Sequence, residues 1–139
     1  MAVGGCVVTG TMEQASYCTF SRIEWCDMRT FDHVGIPTSE MHADEMYVPE
    51  TKVWITDPLR HPQRIEYLRF EPDSPVQGPV RELPHIAFRV NAPEDEIEGA
   101  EILLGPFRPT ETLRIVFVQR DGAVFEFMES SAQGHWFQR

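Results

Sequence analysis

Four residues of metal-ligand type stand at matching places in two similar stretches of this sequence. His33 lies in Asp32-His33-Val34-Gly35-Ile36, and His85 lies 52 positions later in Pro84-His85-Ile86-Ala87-Phe88. Glu66 lies in Ile65-Glu66-Tyr67-Leu68, and Glu126 lies 60 positions later in Phe125-Glu126-Phe127-Met128. Such recurrence over about half a domain signals two copies of one supersecondary unit packed together. Two imidazoles and two carboxylates suit a divalent ion, because the two negative charges offset its two positive ones. Nitrogen and oxygen donors without thiolate suit nickel, cobalt, zinc, manganese or iron. Four protein ligands on an octahedral ion leave two positions for water or for substrate oxygens. That arrangement can polarise a carbonyl and stabilise an enolate.

Strand periodicity agrees with this reading. Side chains alternate across a strand. Ile86, Phe88 and Val90 therefore share one greasy face, suited to packing under a helix, while His85, Ala87 and Arg89 face the other way. The first copy matches, with Val34 and Ile36 opposite His33 and Gly35. A small residue two places after each histidine leaves room in front of it. Glu66 sits between Ile65 and Tyr67, and Glu126 between two phenylalanines. A carboxylate so flanked is costly unless it faces water, a proton or a cation. Any one of the four residues alone would read as structural or solvent-facing; the recurrence carries the case. His42 and His61 read as surface residues, and His135 with Trp136 as part of a C-terminal tail. Arg69, Arg89 and Arg114 are candidates to hold an anionic substrate, Arg89 first because it shares the strand face of His85.

The elements that must position these residues are mostly strands. Phe31–Pro37, Lys52–Thr56 and Gln63–Phe70 read as strands of the first copy, with an Asp57-Pro58 turn between the last two. Thr38–Pro49 is polar and acidic, and Ser39 could cap a short helix there. Glu71–Arg81, with three prolines and a glycine, reads as the linker between copies. In the second copy Leu83–Val90 is a strand, and Asn91 opens a short helix with Pro93, Glu94, Asp95 and Glu96 in its first turn. Glu101–Leu104, Leu113–Gln119 and Ala123–Glu129 are strands, the last two joined through Arg120-Asp121-Gly122. Residues 1–28 stand apart as an N-terminal extension: an added strand or arm, or a segment of little function. Residues 29–139 form the domain.

Composition narrows the partners. The 139 residues suffice for one domain with its own core. Twenty-two acidic against 12 basic residues give a net charge of -10, which argues against nucleic acid or an anionic membrane as partner. No apolar run is long enough to span a bilayer. Cys6, Cys18 and Cys26 are odd in number and lack a Cys-x-x-Cys pattern, so reduced thiols and a cytoplasmic location are expected.

The same residues resemble the vicinal oxygen chelate superfamily, which includes glyoxalase I, methylmalonyl-CoA epimerase, extradiol dioxygenases and bleomycin resistance proteins. Asp32–Ile36 and His85–Phe88 resemble the opening strands of the epimerases and glyoxalases. Ile65–Leu68 and Asp121–Glu129 resemble the closing strands, and the match covers about residues 30–130. The resemblance implies an α+β fold: two βαβββ modules forming a U-shaped mixed sheet around a metal. It implies His33, Glu66, His85 and Glu126 as ligands, with Glu126, and Glu66 beside it, as the catalytic carboxylates. His33 to Glu66 spans 33 positions against 41 for His85 to Glu126, so the first module is shortened. The implied activity is a metal-dependent lyase or isomerase acting on a small carbonyl or thioester substrate, with a homodimer expected. The alternative is a small-molecule-binding protein of the bleomycin resistance type, without metal or catalysis.

Overall fold

Strand-forming residues dominate the chain, and hydrogen-bond pairing sorts them into one sheet. A computed structural model describes residues 29–131 together with Trp136 and Phe137. Expectations for residues 1–28, and for His135, lie outside the described residues. Contacts divide the chain at Thr30, and Phe31–Arg139 forms one compact unit. The strands are β1 (Arg29–Pro37), β2 (Met46–Val48), β3 (Val53–Ile55), β4 (Ile65–Phe70), β5 (His85–Val90), β6 (Glu101–Thr110), β7 (Leu113–Arg120) and β8 (Ala123–Ser130). They form a curled mixed sheet in the order β2-β3-β4-β1-β5-β8-β7-β6.

The sheet is a palindrome about the seam between β1 and β5. Outward from that seam each half runs first strand, fourth, third, second. In each half the first and fourth strands pair in parallel, and the outer pairs are antiparallel. The registers match as well. Gly35 of β1 lies opposite Glu66 of β4, and Ala87 of β5 lies opposite Glu126 of β8. Each glutamate thus neighbours the small residue two places after a histidine. Partners across a ladder share a sheet face, so all four donor side chains leave the sheet on one side.

The expected helices are nearly absent. Among the described residues the only α-helix is α1, Pro79–Glu82, within the stretch expected to be a linker. Thr38–Glu45 forms bends and turns. There the Thr38 hydroxyl accepts from the Glu40 amide and the Glu45 carboxylate accepts from the His42 amide. Such side-chain bonds offer the backbone an alternative to a helix. The helix expected at Asn91 is a four-residue 3-10 turn, Pro93–Glu96, flanked by Ala92 with no side-chain cap. Gly99, with φ +71°, turns the chain toward β6 before a second helical turn can form. No helix among the described residues is long and apolar enough to cross a membrane.

The core lies mainly on the donor face. Val53, Ile55, Leu68, Leu113, Ile115, Phe117, Val124 and Met128 pack there with Val76 and Val80 from the connection and with Trp136 and Phe137. A smaller cluster of Val90, Val116, Val118 and Phe127 packs on the opposite face, against Ile97 and Ala100 beside the 3-10 turn. β7 supplies both clusters by alternation, Ile115 and Phe117 to one and Val116 and Val118 to the other.

Candidate metal centre

Strand alternation, parallel pairing and the curl of the sheet bring His33, Glu66, His85 and Glu126 together. One donor atom from each lies within 4.8 Å of the others, and all four residues are buried. His33 Nε2 is 3.3 Å from Glu66 Oε2 and 3.4 Å from Glu126 Oε2, and His85 Nε2 is 3.1 Å from Glu126 Oε2. A divalent ion with bonds of roughly 2.0–2.2 Å sets its donors about 3 Å apart when adjacent and about 4 Å apart when opposite. The three histidine–glutamate spacings of 3.1–3.4 Å fall in that range.

The donor atoms need something at their centre. His33 Nε2 and both ring nitrogens of His85 are buried and make no hydrogen bond. The carboxylate contacts are close, but they lie off the hydrogen-bonding directions. Orphaned buried polar atoms of this kind are rare and call for an explanation. Two carboxylates facing two imidazoles favour positive charge between them. Burial lowers the His33 pKa, but the charge of Glu66, the bond to Asp32 and the close approach of the Glu126 and Glu66 carboxylates raise it well above its ordinary value. Burial raises the Glu126 pKa, but His33 and His85 outweigh it and bring it down to about 2. The carboxylate therefore stands ionised. The residues present fit a divalent metal, and the fit rests on this donor chemistry.

The two histidines are held by different means. His33 Nδ1 donates to Asp32 Oδ1 at 2.7 Å, which turns Nε2 toward the other donors. Asp32 is fixed in turn: Trp136 Nε1 donates to Oδ1 at 2.9 Å and Arg89 Nε to Oδ2 at 2.8 Å. Burial raises the Asp32 pKa, but the bonds from His33, Trp136 and Arg89 hold its carboxyl well below the usual range. His85 has no such partner among the described residues. Its ring is held by shape, edge-on to Phe117 at 5.1 Å and against the bare backbone of Gly35. A Cβ at Gly35 would lie 1.9 Å from His85 Cε1. The small residue beside His33 makes room for the other histidine.

Other residues singled out in the sequence lie elsewhere. Arg89 reaches Asp32 beneath His33, so its Nε serves the far side of a donor residue. Arg69 forms a two-pronged pair with Glu45, and Arg114 pairs with Glu129 and Glu94. His42 stacks on Tyr67 at 4.3 Å and His61 meets the same ring edge-on, away from the four donors. Asp32 and Trp136 are the residues whose part the sequence did not disclose. Alternation sends neighbours to opposite faces, so the acid next to His33 gave no sign of bonding to it. The one signal was the break in the repeat, Asp32 against Pro84.

Known proteins match in fold. No family model matches the chain, and no curated protein matches its sequence. The crystal structure of a hypothetical protein from Bacillus halodurans superposes with a TM-score of 0.51 at 18% identity, covering 77% of this chain and 98% of that one. Methylmalonyl-CoA epimerase from Mycobacterium tuberculosis superposes with a TM-score of 0.48 at 14% identity, covering 73% of this chain and 88% of the epimerase. The chain shares its fold with the Bacillus protein.

Proposed function

We propose that this protein is a divalent-metal-dependent lyase or isomerase of the vicinal oxygen chelate kind. It acts on a small carbonyl or thioester substrate by moving a proton on the carbon next to the carbonyl. One observation carries the reading: four buried donors from equivalent places in the two halves, with three imidazole nitrogens lacking any hydrogen bond. A bound divalent ion would polarise the substrate carbonyl and stabilise the charge that develops on its oxygen. In this reading His33, Glu66, His85 and Glu126 hold the ion. Asp32 orients His33, with Arg89 behind it. Glu126 is ionised and buried beside the other donors, so it can take a proton from carbon and return one to it. Glu66 faces it across the site and is the second carboxylate able to exchange a proton with substrate.

The test begins with elemental analysis of the purified protein and titration with zinc, nickel and cobalt. The loaded protein is then incubated in deuterated water with a panel of 2-hydroxy ketones and thioesters. Nuclear magnetic resonance should show deuterium entering next to the carbonyl of at least one substrate. The exchange should vanish on chelation and in Glu126→Gln. Protein that binds no divalent ion, or metal-loaded protein that exchanges nothing across the panel, would overturn the enzyme reading and favour a binding role.

A further inference from the structure

A cavity of about 140 Å³ opens directly on Glu66 and Glu126. Apolar side chains make its walls: Val53, Leu68 and Phe70 from the first half, Leu104, Ile115 and Phe117 from the second. Trp136 lines it next to the donors, with its ring 5.6 Å from His33. No arginine, lysine or histidine lines it among the described residues. Its only ionisable side chains of acidic type besides Tyr47 are Glu66 and Glu126.

We propose that the ligand of this centre is a small uncharged molecule whose apolar body, about the size of benzene, fills this cavity. Groups bearing phosphate or carboxylate are excluded from it. The proposal rests on the metal-centre reading for the polar end of the ligand and on the cavity for the rest. An apolar cavity of roughly 150 Å³ holds one benzene ring, which sets the scale of the body. Burying an anion in apolar walls without a cation is costly. Here the nearest fixed charges are carboxylates, and the whole chain carries -10. Any excess positive charge would have to come from the ion, which the two carboxylates already offset. A neutral ligand loses nothing to these walls and gains by burying its carbon surface. Its oxygen end would then face the four donors.

Calorimetric titration of the full chain, as purified and after zinc loading, tests this with two probes of one body. Benzyl alcohol is neutral; phenylmethanesulfonate carries the same phenylmethyl group on an anion that binds metals weakly. Benzyl alcohol should bind at least tenfold tighter. Leu104 is half-buried on β6, so its replacement perturbs the core little. Leu104→Trp fills the cavity and should weaken benzyl alcohol at least tenfold. Leu104→Lys adds a cation and should strengthen phenylmethanesulfonate at least tenfold. Equal or tighter binding of the sulfonate by the natural chain would overturn the proposal, whether or not the variants fold. So would an unaltered benzyl alcohol affinity in folded Leu104→Trp. A chain that takes none of zinc, nickel and cobalt yet ranks the probes as expected would refute the metal reading and leave the cavity's selectivity standing. A chain that takes zinc but does not prefer the alcohol would do the reverse.

Discussion

Gly35 and Asp32 decide how the two imidazoles present themselves, although neither is a donor. Gly35→Ala would drive a methyl group into the His85 ring, whose Cε1 lies 1.9 Å from the ideal Cβ position. The ring is enclosed and must tilt or shift. Overpacking of this kind costs about 1–3 kcal/mol, and the displaced donor should lower zinc affinity by about 10–100-fold. Thermal melting and a competition titration with a chromophoric chelator would measure the two effects. Asp32→Asn changes less in shape, but it removes the charge that accepts from His33, Trp136 and Arg89. His33 would lose its fixed tautomer, so zinc affinity should fall by about 10–100-fold while circular dichroism shows the sheet retained. Unchanged affinity in the same competition titration would show that His33 needs no orienting acid. The donors themselves were legible in the sequence because each occurs twice in one context. Asp32 occurs once, against Pro84 in the other copy, and its role depends on a local departure from alternation that no sequence pattern reports.

At the scale of elements, the strands were readable and the helices were not. His33 and Gly35, then His85 and Ala87, alternate with apolar residues, and that period of two fixes both strand type and the face of the donors. The helix expectations rested on Ser39 and Asn91 as caps. A cap stabilises a helix that packing already favours, and both segments are too short to bring an apolar stripe to the sheet. Ile86, at 37% exposure, shows the result: part of the face expected to lie beneath a helix meets solvent instead. The separation of the two faces makes a prediction. Val116 is fully buried in the smaller cluster, on the side of β7 away from the donors. Val116→Ala should cost on the order of 2 kcal/mol, read by urea denaturation. Zinc affinity of the folded variant should match the natural chain, because Ile115 and Phe117 on the donor side are untouched. A loss of affinity parallel to the loss of stability would mean that the two faces are not independent.

At the scale of the whole molecule, the donor set is complete within one chain. His33, Glu66, His85 and Glu126, the Asp32 bonds and the cavity walls all come from the unit Phe31–Arg139. With four donors from one chain, zinc should bind at one ion per 16.0 kDa chain at every protein concentration. Among the described residues the donors, the orienting Asp32 and Trp136, and the cavity walls all come from Asp32 onward, and β1 starts at Arg29. A chain beginning at Met28 should therefore fold, bind zinc with the affinity of the full chain, and melt within a few degrees of it. The competing outcome has a clear size. If Tyr17, Phe20 and Trp25 belong to the domain core, removing them deletes three large aromatic contacts, each worth about 3–5 kcal/mol when buried. A domain of this length stabilised by about 5–15 kcal/mol in all would not survive that loss. Melting curves of the two chains, each with and without zinc, separate the outcomes. Coincident curves make the domain self-sufficient, whereas an insoluble or unfolded short chain makes the N-terminal segment part of it.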